Sequence, residues 1–572
     1  MSVRSDWIGA YPVFLLSLNW GGREYFISTK PVSLNSNEGD KTYKGGLVEE
    51  PDLMFDLGDM GFNVDAISTA ISCILEGVDI AKEVLDGNIL QDSKVELSYV
   101  LETKKSIQTY EERTILLTGL AKQPIFGHVA QPKGYVEFSI EAPAFFGSLY
   151  AFQTGSTARL IPEDISALTN TSISPFTSKF IGSSALIDVP DAHRGKMIPI
   201  VLGTGGKIVD QFGTAIRYSL TPAYVIAVNS TGQNQVWMAI ASHYVEANQV
   251  RISDKEGRHI DPDVEHFIRA DGSVFAYVTF DIKDGGFQDR ITNINDDQAA
   301  EYFTSWNPTS GGGLLSRSSN TAIEGGGDIC IQFLQLGAAD IDYGEWESLR
   351  PVLNAYKFAG YINSSEISPL EFLENEIIPF LPISVIYGAR GLKPVLNLLY
   401  EGSELYVKHV LTAGSEWYQN SPIQTLTNSE NIVNYYTLGY GFSLAQNKFV
   451  ASMRITPDIN VNYNSNFSTM YSVLSAQRYG VKKDETESKY VHDDTTAALI
   501  CRDKVRFEGV ALRSIEYIAS PRYGYIEVGD IILLTDSNLF SRPKKVQVIK
   551  KQWQSTNWLF VVKVEEHLQT EL

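Results

Sequence analysis

The residue types able to do chemistry are present but scattered. The eight histidines (His128, His193, His243, His259, His266, His409, His492 and His567) form no HxH or HExxH pair. His259 and His266 stand near Asp261, Asp263 and Glu265, a loose set of metal-ligating types. The set lacks the fixed spacing of a metal motif, so a solvated acidic turn is the expectation. Asp340, Asp342, Glu345 and Glu347 crowd one short stretch. Glycoside hydrolysis needs two carboxylates across a cleft, whereas acids gathered at a helix start are stabilised by the helix dipole.

Glycine-rich segments are the other candidates. Gly203-Thr204-Gly205-Gly206 follows the apolar run Ile198–Leu202, but the chain continues as Lys207–Phe212, which is strand- or turn-like. A phosphate cradle would open a helix there, and a plain glycine turn is expected. Gly325-Gly326-Gly327 precedes a helix beginning at Asp328, yet Glu324 and Asp328 would repel an anion, so a hinge is expected. No GxSxG elbow, Walker sequence or GxGxxG occurs. Cys73, Cys330 and Cys501 lie far apart with no CxxC, which excludes a disulfide framework and a cysteine zinc module and fits a reducing compartment. No catalytic, cofactor-binding or metal-ligating residue is assigned, and the expectation is a protein without enzymatic activity.

The elements that would position any site are mostly strands. The chain has 572 residues, 44% hydrophobic and 20% charged, with 29 Tyr, 27 Phe and 45 Gly. That is the balance of a folded multidomain chain rich in sheet. The formal net charge of −21 argues against binding nucleic acid or anionic membranes through the bulk surface. No apolar run is long enough to span a membrane, and the run Ala10–Leu18 reads as a strand, lacking a signal peptide's basic start and cleavage site.

Along the chain, residues 1–145 alternate as strands, with a hairpin signal at Asn19–Gly22 and a short helix at Ile80–Leu85. Residues 146–192 are Ser/Thr-rich, without period, and read as an extended connection or arm. Residues 193–327 return to strands and end in a Ser/Gly stretch expected to be flexible. Residues 328–425 form a small α+β unit, with helices expected at Asp328–Leu336, over Trp346–Ala359 and from Ser368-Pro369, then a strand pair Ile383–Tyr387 and Pro394–Tyr400. Residues 426–572 are strand again, with one clear helix at Asp493–Asp503, capped by Asp494. Its strands Ile515–Ile518, Tyr525–Thr535, Lys545–Trp553 and Trp558–Glu566 are suited to curling into a small barrel.

The order of several short motifs carries a resemblance. Tyr490-Val491-His492-Asp493-Asp494-Thr495-Thr496-Ala497 leads into a helix. It is followed by Arg522-Tyr523-Gly524-Tyr525-Ile526-Glu527-Val528-Gly529-Asp530-Ile531-Ile532-Leu533-Leu534-Thr535-Asp536 and by Val546–Ile549 with a Trp-bearing strand. This resembles the closing barrel of tailed-bacteriophage tail hub proteins, the central ring of the baseplate or tail tip. Asn431–Asn434 is similar to the strand that opens that domain, and Asp342–Ile378 to the family's helical insert. Tyr43–Leu47, Leu117–Gly119 and Gly134–Ile140 resemble the first tube-like domain. Arg194–Gly203 resembles a segment of siphophage and gene-transfer-agent tail proteins.

The resemblance implies a mainly β fold with a smaller α+β insert. It has two tube-like β-barrel domains (1–145 and 426–572), an arm at 146–192, an accessory β domain at 193–327 and an α+β domain at 328–425. It further implies a homotrimer whose two tube-like domains per chain make a pseudo-sixfold ring, joining a sixfold tail tube to a threefold tip. The implied partners are the distal tail protein or tail-tube ring, the tape measure protein and tip, spike or fibre proteins. Genomic DNA would pass through the channel without specific binding. The location implied is the virion tail, after assembly in the host cytoplasm, with no cofactor. Another tail-tip component, such as a distal tail ring or receptor-binding protein, and a carbohydrate-active enzyme are the alternatives.

Overall fold

The computed structural model describes residues 7–58, 62–63, 68–127, 133–141, 186–187, 193, 196–203, 208–209, 215–216, 220–229, 235–254, 258–268, 274–281, 301–306, 322–336, 340–363, 367–427, 429–458 and 466–565. The chain is mostly β and multidomain, with two half-barrel sheets. The arm expected at 146–192 lies outside the described residues except for Leu186–Ile187, as does the Ser/Gly stretch up to 321.

The first sheet has eight strands, in the order Val32–Leu34, Lys41–Gly45, Arg23–Ser28, Tyr11–Trp20, Lys94–Glu102, Thr114–Gly127, Lys133–Glu141 and Ser68–Glu76. The hairpin between Tyr11–Trp20 and Arg23–Ser28 turns on Gly21 and Gly22, both at positive φ, where a side chain would be strained. Strand Tyr11–Trp20 is central and buries both faces. Phe14, Leu16, Leu18 and Trp20 enter the main core, while Val13 and Leu15 join Leu34, Tyr43 and Val100 on the other side. The short helix Ile80–Leu85 is capped by Asp79, whose side chain accepts from the Lys82 amide at 3.1 Å.

A second sheet, spanning residues 186–305, centres on Thr221–Asn229, Gln235–Ala241 and Val274–Asp281. The α+β unit follows. Its first helix runs Gly326–Leu336, two residues earlier than expected, because Gly326 and Gly327 fit closely against Leu353 and Asn354. The next helix, Tyr343–Leu353, is capped by Asp342 and stops at Asn354. Tyr356, expected on that helix, lies in the bend after it. Ser368 caps a helix at Pro369–Phe372 that widens into a π-turn over Leu373–Ile377. The hairpin Ile383–Gly388/Gly391–Leu396 is almost wholly buried.

The last large sheet is ordered Val407–Thr412, Ile531–Thr535, Lys544–Gln554, Asn557–Glu565, Leu512–Ala519, Trp417–Gln419, with Gln424–Thr425 also pairing Leu512–Ala519. Its membership begins at Val407, within the stretch assigned to the α+β unit. It also takes in Met54–Asp56, which pairs antiparallel with Lys550–Gln552. The expected strand Tyr525–Thr535 shortens to Ile531–Thr535 because Gly529, at φ +90°, turns the chain just before it. A four-stranded sheet built on Tyr435–Ser443 and Lys448–Ile455 packs against helix Asp494–Glu508. That helix is capped by Asp493, not Asp494; the Asp493 carboxylate accepts from the Thr496 amide at 2.9 Å. A second helix here, Met470–Tyr479, has no counterpart among the sequence expectations. It starts on a reciprocal Thr469/Ser472 capping box and is too polar to show a strong apolar period.

Candidate functional site

The candidate catalytic sets are absorbed into structural roles. Asp261 holds Arg251 through two bonds of 2.8 and 2.9 Å. Glu265 accepts from Tyr277 and Thr279 at 2.7 and 3.0 Å. His266 accepts from the Val245 amide and stacks on Tyr244, and His259 is exposed. Among the described residues no group of three or more His, Cys, Asp or Glu is placed to hold a metal. Asp342 caps its helix, Glu345 pairs with Lys408 at 2.6 Å, and Glu347 pairs with Arg350. Gly203 sits at φ +66° with its Cα facing the Phe358 carbonyl, and residues 204–207 lie outside the described residues. Gly325 and Gly327 are buried against Asn354, and Gly326 against Leu353 and Leu381, rather than free to hinge. Asn354 Oδ1 already accepts from the Asp328 amide at the helix start.

What the structure does bring together is a buried ionic and aromatic junction between the two half-barrel sheets and the α+β hairpin. Asp530 is its centre. The carboxylate accepts from the Glu527 amide at 2.8 Å, faces His409 Nε2 at 3.2 Å, and pairs with Lys408 at 3.2 Å. Burial would raise its pKa, but the His409 bond and the nearby ammonium groups of Lys393 and Lys408 outweigh that and hold it well below the usual carboxylate range. Lys408 in turn reaches Glu345 on helix Tyr343–Leu353, and Lys393 on the hairpin pairs with Glu527. Glu527 keeps part of its side chain at the surface. Its pKa is lowered overall, as burial is overcome by the Lys393 charge. Gly529 lets this turn form: its positive φ excludes most residues, and a Cβ there would strike Val395 of the hairpin at 2.4 Å.

Beside this cluster the first sheet docks. Lys551 is buried under strand Met54–Asp56, donates to the Gly524 carbonyl and lies 4.4 Å from the Trp558 ring centroid. Burial lowers its pKa to about 8, against partial support from Glu527 and Asp530. Tyr99 of the first sheet donates to the Pro521 carbonyl at 3.0 Å. Phe14 meets Trp553 edge-on at 5.5 Å, and Trp553 meets Trp558 at 5.0 Å. Trp553 Nε1 donates to Glu50 at 2.9 Å, and the Trp553 amide donates to the Leu53 carbonyl at 2.9 Å. Gly524 has no room for a side chain here, since a Cβ would stand 2.1 Å from Tyr99 Oη and 2.5 Å from Trp558 Nε1.

Tyr523-Gly524 and Gly529-Asp530 stand out in the sequence as motif residues, but only the fold shows their use. Lys393, Lys408, His409 and Lys551 belong to no motif, and sequence reasoning misses them as members of a cluster. Lys393 sits within an apolar strand, which is the signal available in a sequence: a lysine among buried strand residues is paired or structurally used.

The contacts of the junction are ion pairs, hydrogen bonds and ring packing that fix the turn at 527–530 against the hairpin and the first sheet. The two margins of the last sheet are a second feature. Among the described residues, Val407–Thr412 pairs only with Ile531–Thr535; Val410 on it and Leu405 in the helical turn before it are exposed. The opposite margin, 417–427, exposes Tyr418, Ile423 and Leu426.

No family model matches the sequence, and a search of curated proteins returns no match. Among solved structures, the chain is similar to the 43 kDa tail protein of prophage MuSo2 from Shewanella oneidensis, with 8% identity over 96% of this chain and 98% of that one and a TM-score of 0.32. A tail protein from Neisseria meningitidis MC58 gives 7% identity over 97% and 96%, with a TM-score of 0.33. A chain of a native gene transfer agent virion gives 11% identity over 65% and 85%, with a TM-score of 0.39. Scores and identities this low carry no functional argument.

Proposed function

We propose that this chain is a structural, non-enzymatic component of a bacteriophage-type tail, the central hub of a tail tip or baseplate. In this reading residues 1–145 and 426–572 supply its two tube-like domains. Three copies close a ring of six such domains, which joins a sixfold tail tube to a threefold tip. The observation that carries the reading is the junction itself. Two half-barrel sheets from opposite ends of the sequence are locked at one mutual geometry by a donated strand, Met54–Asp56, and by the Phe14–Tyr99–Trp553–Trp558 contacts. A ring of alternating domains needs that fixed angle, because an error in it repeats at each subunit. The second support is the pair of unfilled margins. Unpaired strand edges with exposed apolar side chains need covering, and head-to-tail pairing between copies covers them in a closed ring. The order of the sequence motifs supplies the identity of the assembly.

The partners in this reading are the distal tail protein or tail-tube ring, the tape measure protein and tip, spike or fibre proteins. The location is the virion tail after assembly in the host cytoplasm. The excess of acidic over basic residues, net −21, suits a channel that DNA traverses without capture. Reversing lumen-facing acids to lysine should slow DNA delivery; delivery at the wild-type rate would refute the channel assignment.

The test is native mass across a concentration series with negative-stain imaging, alone and with tail-tube and distal-tail proteins. A species of three chains with a central hole supports the hub. A chain that stays monomeric in every mixture refutes it.

A further inference from the structure

A cavity of about 240 Å³ opens where Gly360–Asn363, the helical run at 371–376 and the segment Lys489–Tyr490 converge. It shares no residue with the ionic junction. Four aromatic residues, Tyr361, Phe372, Phe442 and Tyr490, share its apolar lining with four aliphatic ones. Phe372 meets Tyr490 edge-on at 5.1 Å, and the Tyr490 hydroxyl donates to the Tyr361 carbonyl at 3.0 Å, so these walls are fixed. The π-turn keeps Leu373 and Ile377 in the core while Asn375 and Glu376 line the cavity, and such widened turns recur at functional sites.

The charges are unbalanced. Glu376 is half-buried and accepts no hydrogen bond and forms no ion pair among the described residues. Burial raises its pKa, and Lys489 is the charge that opposes the shift. The Lys489 ammonium stands 5.3 Å from the Phe442 ring centroid instead of meeting a carboxylate. A second carboxylate, Glu371, also lines the opening. An aromatic-walled cavity with an excess of carboxylate attracts an organic cation. Its volume is below that of a drug-sized pocket and suits one side chain. Arginine fits better than lysine, because its planar guanidinium stacks on rings, pairs with a carboxylate and is more weakly hydrated.

We propose that this cavity is a docking site for an arginine side chain presented by a partner protein, with Glu376 as the counter-ion and the four aromatic side chains as walls. The proposal is independent of whether the chain closes a ring.

The test is saturation-transfer NMR of the full chain with N-acetyl-arginine amide, and with the citrulline analogue as the neutral isostere. The arginine probe should bind and the citrulline probe should bind roughly tenfold more weakly. Glu376→Gln should weaken the arginine probe by about tenfold, and Lys489→Met should tighten it by a few-fold, since it removes a like charge. These opposite signs distinguish a binding role from a loss of fold, and thermal melts of both variants check the fold separately. The proposal is overturned if neither probe binds, if the two bind alike, if both substitutions act in the same direction, or if N-acetylglucosamine displaces the arginine probe more effectively than arginine itself.

Discussion

Gly524 gives the sharpest test of how the two half-barrel sheets are joined. Its φ is −66°, an angle any residue adopts, so Gly524→Ala carries no backbone strain and the whole effect is steric. The new Cβ would stand 2.1 Å from Tyr99 Oη, where an ordinary contact begins at 3.4 Å, so one partner must retreat by about 1.3 Å. Tyr99 is 1% exposed and anchored to the Pro521 carbonyl, which leaves little freedom to move. Overpacking of this kind costs about 1–3 kcal/mol, and the lack of slack on the Tyr99 side places this site near 3. Tyr99→Phe alone loses one buried hydrogen bond, about 1 kcal/mol. It also deletes the atom that the new Cβ strikes hardest, so the two substitutions are coupled. Gly524→Ala should cost at least about 1 kcal/mol less in the Tyr99→Phe background than in wild type. The residual cost comes from Trp558 Nε1 at 2.5 Å and from the remaining ring carbon of residue 99, Cζ at 2.9 Å. Urea unfolding of the four proteins of this double-mutant cycle measures the coupling. Additive effects, or a Gly524→Ala cost below about 0.5 kcal/mol, would refute the claim that this contact braces the two sheets.

Three further outcomes concern the buried charges and thiols. Lys551 has a folded pKa of about 8 against an ordinary 10.5. Between those values the unfolded chain holds a proton that the folded chain has released, so wild-type stability gains about 3 kcal/mol as pH rises across that window. Lys551→Met lacks the gain, and denaturant melts at pH 7 and pH 10.5 should show the stability difference between the two proteins moving by that amount in favour of wild type. Asp530→Asn removes the carboxylate shared by His409, Lys408 and the Glu527 amide, while Lys408 keeps Glu345 and Lys393 keeps Glu527, and should cost about 3 kcal/mol at pH 7. The stabilisation is fully present above the carboxylate's ordinary 3.8 and is lost as pH falls below it, so in acid melts the gap to wild type should close. Cys73, Cys330 and Cys501 are all buried, and burial pushes the Cys73 thiol up to about 12 and the other two higher still. A thiol reagent such as dithiobis-nitrobenzoate should therefore label none of them in the native chain and all three in denaturant, and prompt native labelling would contradict the packing.

Much of the fold is legible in the sequence where local chemistry decides structure. The hairpin at Gly21–Gly22, the short helix at Ile80–Leu85 and the Ser368-Pro369 start are local signals, and each appears in the structure. Sequence and structure part where tertiary contact overrides the local signal. Trp346–Ala359 has a helical period throughout, yet the helix stops at Asn354 because Tyr356 and Phe358 are taken by other partners. Tyr356 donates to Asp503, and the Phe358 amide donates to the Glu324 carbonyl at 2.8 Å. Helix Met470–Tyr479 is hidden in the sequence because its stability rests on a capping box and on Tyr471 reaching Glu565 at 3.0 Å, neither of which produces an apolar stripe. The candidate chemistry is legible mainly as an absence of motif. The junction is not, because its members are drawn from residues 14 to 558, and no spacing rule connects a lysine on one strand with a turn glycine far away.

The donated strand has a consequence for how the chain folds. Met54–Asp56 belongs by sequence to the first half-barrel but is hydrogen-bonded into the last sheet, and Leu53, at 0% exposure, lies beside it in the shared core. Without residues 7–141, a fragment 400–565 would expose the edge at Lys550–Gln552 and uncover Trp553, Trp558 and the buried ammonium of Lys551. Each large apolar side chain uncovered costs about 1.5–3 kcal/mol, and the bare edge invites pairing with the wrong strand. Together these losses approach the whole stability of an ordinary domain. The fragment expressed alone should therefore aggregate, and co-expression with residues 7–141 should recover a soluble complex that co-purifies. Deleting Met54–Asp56 from the partner should abolish the rescue, because the strand and not mere proximity completes the sheet. A fragment 400–565 that is soluble, monomeric and cooperatively folded alone would show that the two half-barrels are independent. The fixed angle on which the ring reading depends would then have to come from neighbouring subunits.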